Sequence, residues 1–443
     1  MNCRTGRWIE RHTRICPEGG LVIGAGASSP LQLFRRPDFL RLWACGTLAG
    51  SMRWFEVLSV GVYTLEQTHS ALLVALMLFA RTVPLFLVGS FIGVLAERLD
   101  RRKMLFVGML GAATTATVLT VLSLLDVLAL WHVAVGASIN GVLWTMEHPV
   151  RRALLSDAIA RDSVAQAISL DAASTNGTRM LGPMAGGLLY AVLGLQGAYV
   201  IGAVVYSIAA ILVYFVVPVV ATRRTSSEGF WRSLGLGIRY VSSHEVLSAV
   251  MVLTVVANTF GFSYIAMVPV LGERILNLDA PGIGLLMFTE GLGATLGALT
   301  LAFVIRPRAY TQVFTFGAVV FLTMVLILSR AESMLLVMAT LFVAGFGLAG
   351  FASMQSTILL AGSERELRSR VLGVLAVCIG TGPLGILLVG WLAERFGAQL
   401  ALSMTSTCGL FMTLVLCIRR PRLVRAFGGN LTDSSAVKRD EIT

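Results

Sequence analysis

Long apolar stretches follow one another along almost the whole chain, and they limit its possible folds more than any other feature. A helix that crosses a bilayer needs about 20 mostly apolar residues. Twelve such stretches, separated by short charged or turn-forming breaks, can be read along the 443 residues. Only 13% of the residues are charged, about half the usual share in soluble domains. The pattern predicts an all-α polytopic membrane protein and excludes an ordinary soluble enzyme, a disordered chain and a fibre.

The predicted spans form two sets of six on either side of the longest polar connection. They cover approximately residues 40–65, 71–96, 103–125, 127–147, 165–193, 197–220, 246–272, 281–305, 311–328, 333–360, 371–392 and 398–418. A short repeat supports this division, because Gly182-Pro183 and Gly197-Ala198 recur 200 residues later as Gly382-Pro383 and Gly397-Ala398. Parallel six-helix halves are typical of one large transporter class. We therefore predict a basic tail, an N-terminal half, a linker, a C-terminal half and a C-tail, at residues 1–38, 39–220, 221–245, 246–420 and 421–443.

The net charge of +11 has two possible explanations, nucleic-acid binding or the positive-inside bias of a membrane protein. With the N-terminus in the cytoplasm, 29 of the 35 Lys and Arg residues fall on the cytoplasmic side. This asymmetry predicts a multi-pass protein of the bacterial cytoplasmic (inner) membrane with both termini and the linker in the cytoplasm. It also explains the charge without a nucleic-acid partner.

The six cysteines and five histidines are scattered, with no CxxC pair and no metal-ligand spacing. We therefore predict no metal and no cofactor. No Walker loop is present either, so direct ATP coupling is not expected.

The connection after span 2 contains a glycine, an acid and a cluster of bases. Its residues are Gly93, Glu97, Arg98, Asp100, Arg101 and Arg102. This resembles the signature of the major facilitator superfamily, with Glu97 where Asp is usual and Asp100 where a second Gly is usual. The Asp-Arg-Arg ending and the sequence at residues 149–155 resemble the branch that includes the enterobactin exporter and related drug and siderophore efflux proteins.

The resemblance implies a cytoplasmic gate, in which Glu97 and Arg98 latch the two halves together. Arg368 and Arg370, at the foot of span 11, are the expected partners. The alternative is that the bases only enforce topology, which we favour for Arg102. The resemblance also implies that spans 1, 4, 7 and 10 line a central cavity and that the protein works as a monomer.

Span 5 contains Gly182, Pro183, Gly186 and Gly187, which resemble the core of a motif found in antiporters of the same superfamily. Proline permits a bend, and glycines admit a neighbouring helix closely. The resemblance makes span 8 that neighbour, where Gly293 and Gly297 are spaced by four residues. Tight packing without any antiporter role is the alternative.

Ionisable residues at membrane depth are expensive and are candidates for function. They are Arg53, Glu56, Arg81, Arg179 and Glu290. Arg53 and Glu56 share one helical face, so they form either a self-neutralising pair or part of a proton-coupling site. Glu290 is expected to be protonated, to face water, or to meet Arg179 or Arg81. Asp171, near the start of span 5, is expected to contact solvent.

Further candidates for the cavity come from the resemblance and from polar stripes on the spans. They are Tyr63, Asn140, Trp144, Asn258 and Gln355. For Asn258 and Gln355, a hydrogen bond between helices is an equal alternative.

These features predict a secondary active transporter that uses alternating access and is not an enzyme. It is expected to be a proton-coupled exporter of a small organic molecule such as a drug, siderophore or metabolite, with the bilayer, protons and that molecule as its partners. An importer or facilitator of the same fold is the main alternative. A membrane enzyme or assembly protein is a weaker one.

Overall fold

The computed structural model describes residues 33–159, 163–217, 230–364 and 366–424, without the side chains of residues 90–98, 165, 230 and 231. Most of both predicted tails and the first part of the linker therefore lie outside the described residues. Within them, every element is helical. The α-helices are α1 (Pro37–Thr68), α2 (Ala71–Arg98), α3 (Arg101–Leu124), α4 (Leu130–Ala158), α5 (Val164–Tyr214), α6 (Phe230–Ser242), α7 (Glu245–Val256), α8 (Val268–Arg274), α9 (Ala280–Val304), α10 (Tyr310–Leu328), α11 (Met334–Ala361), α12 (Arg368–Ile379), α13 (Gly382–Phe396) and α14 (Ala398–Arg419).

Nine helical stretches among the described residues are long and apolar enough to cross a membrane. One of them, Gln166–Tyr214, has 49 residues, about twice the length that one crossing needs. Gly194 interrupts it with φ 60° and ψ −166°, a backbone conformation that glycine adopts without strain. α1 and α4 are also long enough, with 32 and 29 residues, although they carry more charge. The architecture is thus a polytopic all-α membrane fold consistent with twelve spans.

The seventh span, Glu245–Arg274, is irregular in its middle. A π-turn at Ala257–Gly261 and a 3-10 turn at Phe262–Ala266 separate α7 from α8. The sequence analysis predicted one continuous span here and gave no sign of the break. The eleventh span is likewise divided, into α12 and α13.

The helices pack both within each predicted set of spans and between the two sets. Within the first set, α5 packs on α1 and α3, and α2 packs on α4. Within the second, α11 packs on α9 and α10, and α14 packs on α13. The sets meet where α5 contacts α9, where α2 contacts α13 and where α1 contacts α8. The cavities described below lie between these contacts.

The α5–α9 contact depends on glycines that leave no room for a side chain. A Cβ at Gly187 would overlap the carbonyl group of Ala280, and one at Gly284 would lie 2.6 Å from the carbonyl oxygen of Pro183. The prediction that Gly293 and Gly297 face α5 is wrong. Both face α11 instead, and a Cβ at Gly297 would lie 3.0 Å from Cα of Phe346.

Candidate functional site

The first buried ion pair joins α1 to α2. Arg81 Nη1 lies 2.9 Å from Glu56 Oε2, and the two side chains are 7% and 2% exposed. Asn140 on α4 donates a hydrogen bond from Nδ2 to the same oxygen at 3.2 Å. The arginine and the amide offset part of the free-energy cost of burying this carboxyl group.

Of the two alternatives for Arg53 and Glu56, the self-neutralising pair is contradicted by the structure. Although both lie on α1, Arg53 donates to Glu147 of α4 at 3.1 Å, whereas Glu56 pairs with Arg81. The helical spacing brought both residues to one face but did not reveal that each has a nearer partner on another helix.

A small cavity lies beside the Glu56–Arg81 pair. Its walls come from both sets of spans and are mostly apolar. The lining residues are Glu56, Val57, Val60, Gly61, Val74, Met77, Leu78, Arg81, Ala137, Ile265, Ala266, Pro269 and Met287. The lining combines one charged pair with apolar side chains, among them two methionines, whose flexible side chains can adapt in shape. Tyr63 packs against the core beyond this lining.

The second buried ion pair joins α5 to α9. Arg179 Nη2 lies 2.7 Å from Glu290 Oε1, so Arg179 is the partner of Glu290, and Arg81 is not. The Arg179 guanidinium also lies over the ring of Trp54, at 5.7 Å from its centroid. A second small cavity adjoins this pair and shares Ile265 and Met287 with the first. The irregular seventh span therefore lies between the two ion pairs.

A chain of buried charges runs from Arg53 towards the end of the bundle that carries the α4–α5 connection. Arg151 bonds both Glu147 and Asp171, and all three are 2% exposed. Arg152, which is 36% exposed, completes the chain at 3.1 Å from Asp171. Arg53 also lies over the Trp144 ring, 4.8 Å from its centroid.

The sequence analysis missed Arg151 and Asp171 as members of this chain. The limits of its predicted spans leave Arg151 between spans 4 and 5, and it expected Asp171 to contact solvent, but the two residues are buried against each other. The spacing of four residues between Glu147 and Arg151, on one helical face, was the available signal.

Asn258 and Gln355 converge on Thr254 of α7. Asn258 donates to the Thr254 carbonyl oxygen at 2.9 Å, and Gln355 on α11 donates to Thr254 Oγ1 at 2.7 Å. The Gln355 bond joins α11 to α7 and corresponds to the alternative of a hydrogen bond between helices, whereas the Asn258 bond stays within the seventh span.

The gate motif is described only in part. The side chains of Gly93, Glu97 and Arg98 lie outside the described residues, and so does the expected latch to Arg368 and Arg370. Asp100 caps α3 by accepting hydrogen bonds from the backbone of Arg102, at 2.9 Å, and of Lys103. Arg101 pairs with Asp157 on α4 at 2.6 Å, and Arg102 bonds the carbonyl oxygen of Tyr214 on α5. The described part of the motif thus ties together helices of the first set.

Asp100→Ala is expected to lower the free energy of unfolding by about 1 kcal/mol, because loss of the cap leaves two helix N–H groups without their partner. Thermal unfolding of the purified protein checks this. Asp100→Ser, which preserves a capping oxygen, is the control and should stay close to the original stability. Equal losses in both variants would contradict the capping role.

The glycines of the antiporter-like motif contact helices on two sides. A Cβ at Gly182 would lie 2.8 Å from Cβ of Trp54, and one at Gly186 would lie 2.9 Å from Cδ2 of Phe55, both on α1. Gly187 faces α9 and thus the other set of spans. The expected contact with span 8 is present, but only part of the motif makes it.

Comparison with known proteins identifies the family. Residues 28–438 match the family described as "Transmembrane secretion effector". The chain belongs to this family of the major facilitator superfamily. It is 28% identical to the multidrug efflux pump Tap of Mycolicibacterium fortuitum over 410 residues, which cover 88% of this chain and 97% of that one. It is 22% identical to the staphyloferrin A transporter of Staphylococcus aureus over 367 residues, covering 82% and 91%.

The fold is also that of solved transporters. A bacterial homologue of the human lysosomal transporter Spinster, in an inward-facing occupied conformation, superposes with a TM-score of 0.68 at 14% identity, covering 89% of this chain and 98% of that one. By its family match, the chain is a multi-pass membrane transporter of the major facilitator type, as the resemblance in the sequence implied.

Proposed function

We propose that this transporter is a proton-coupled exporter of a small organic molecule. The observation that carries the proposal is the pair of buried carboxylates, Glu56 and Glu290. Each is held by an arginine, and each borders a cavity with walls from both sets of spans. The export direction is supported by the relative that is named as a multidrug efflux pump.

In the proposed cycle, residues 39–220 and 246–420 act as the two halves that rock about the cavities. The protein would reside as a monomer in the bacterial cytoplasmic membrane with both termini in the cytoplasm. Protonation of Glu56 removes its charge and releases Arg81. Protonation of Glu290 releases Arg179 in the same way. An unpaired buried charge costs free energy. Binding of the proton therefore stabilises one arrangement of the helices, and that arrangement in turn binds the proton more tightly. Cavity residues Val57, Met77 and Met287 would hold the apolar body of the substrate.

The test is proton movement in energised inside-out vesicles, followed with a pH-sensitive dye. Addition of a transported compound should cause protein-dependent dequenching, and a panel that includes staphyloferrin A and lipophilic drugs would sample both relatives. Vesicles without the protein are the control. Accumulation of the same compound inside inside-out vesicles distinguishes export from import, which remains the alternative for this fold.

The variants Glu56→Gln and Glu290→Gln are each tested in this assay. At least one should reduce compound-dependent proton movement by about tenfold or more, because an amide can neither bind nor release the proton. Glu332→Gln, at an exposed carboxylate, should retain the original rate. If both buried variants retain proton-coupled transport, neither carboxylate is the coupling site.

A further inference from the structure

One arginine of the buried charge chain is not needed to neutralise it. Glu147 is bonded by Arg53 and Arg151, and Asp171 is bonded by Arg151 and Arg152. If Arg151 were absent, each carboxylate would retain one arginine. Burying a further cation costs free energy, so a reason other than charge balance is required for Arg151.

The geometry of Glu147 supplies that reason. Its Oε1 accepts from Arg151 Nε, and its Oε2 accepts from Arg53 Nη2. An arginine and a carboxylate with no other partners prefer two parallel hydrogen bonds. Arg151 occupies one of the two oxygens and so prevents Arg53 from closing on Glu147 in that way. Arg53 then extends over Trp144 and remains 14% exposed.

The space for Arg151 is provided by α1 itself. A Cβ at Gly46 would overlap the guanidinium group of Arg151, so this glycine lets the side chain pass between α1 and α4. Gly46 lies on the same helix as Arg53, about two turns away. The position of Arg151 is therefore fixed by two carboxylates and by the surface of α1.

We propose that Arg151 is a positioning residue for Arg53, acting through Glu147 to hold the Arg53 guanidinium on the face of Trp144. This rests on the proposed function in one respect, namely that Arg53 and Trp144 border the path of the substrate. The positioning itself is independent of which compound is transported.

The test uses a protein in which Trp144 is the only tryptophan, with the other six of the seven replaced by Phe. Quenching of Trp144 fluorescence by acrylamide reports how well the ring is covered. Arg53→Met uncovers the ring and should raise the quenching constant by about twofold, since the cation that lies on it is gone. Arg151→Met should give a similar increase, and the double variant should be no higher than Arg53→Met alone.

The matched control is Arg152→Met, because Arg152 is the next residue on the helix and contacts the same Asp171. It should leave the quenching constant unchanged. Gly46→Ala retains every charge and displaces Arg151 by steric overlap, so it should reproduce Arg151→Met even if the latter folds poorly. The quenching constant of Arg151→Lys should lie between those of the original protein and of Arg151→Met, because an ammonium group retains the charge without the planar fork.

The proposal is overturned if Arg151→Met and Gly46→Ala leave Trp144 as protected as before while Arg53→Met exposes it. It is also overturned if the effects of Arg53→Met and Arg151→Met add, because independent effects would mean that Arg151 does not act through Arg53. Because quenching needs no transported compound, silence in the vesicle assay would contradict the proposed function without affecting this result.

Discussion

Gly187→Val is expected to reduce transport by about tenfold to a hundredfold, since overpacking a close contact typically costs about 1–3 kcal/mol. Gly187 is where α5 lies against the start of α9, and a Cβ there would overlap the Ala280 carbonyl group. The backbone of a neighbouring helix cannot give way as a flexible side chain can. The variant should therefore separate the two sets of spans at this contact.

Gly177→Val is the matched control on the same helix, because a Cβ at Gly177 meets nothing within 4 Å. It should transport at close to the original rate. Initial rates in vesicles with equal amounts of protein make the comparison. Equal losses at both positions would mean that helix propensity, not the contact with α9, determines the effect.

Arg179→Met is expected to destabilise the protein by about 3–5 kcal/mol, because it leaves the Glu290 carboxylate buried without its partner. Glu290 is 8% exposed and Arg179 is 23% exposed, so solvent can compensate little. The double variant Arg179→Met/Glu290→Gln removes both charges and should recover most of the stability. Thermal unfolding in lipid nanodiscs measures the three proteins side by side.

If the pair takes part in coupling, the double variant should recover stability but not transport. A double variant as unstable as Arg179→Met would show that the pair is not the source of the effect. Arg330→Met, at an exposed arginine, is the control for loss of a positive charge.

The length and order of the spans could be predicted from the sequence because hydrophobic length and arginine placement are properties of single segments. Which charged residues pair with each other could not be predicted, because this depends on how each helix is rotated against its neighbours. The Arg179–Glu290 pair was one of several open possibilities, whereas the pairing of Arg53 with Glu147 was missed. The four-residue spacing of Gly293 and Gly297 correctly indicated a close helix contact but not which helix makes it.

The irregular seventh span was missed for a different reason. The sequence Ala257–Gly261 contains no proline, which is the usual marker of a break within a helix. A π-turn changes which carbonyl accepts each hydrogen bond and leaves hardly any trace in hydrophobicity.

That π-turn has a consequence for the evolution of the protein. It accommodates one residue more than an α-helical turn, so deletion of a single residue there is expected to convert it to an α-helical turn while the segment beyond it keeps its orientation. Tyr264, which lies beside Glu290, and Ile265, in the wall shared by the two cavities, would then keep their places. The seventh span can thus absorb a change of one residue in length at this point without displacing the residues that line the cavities.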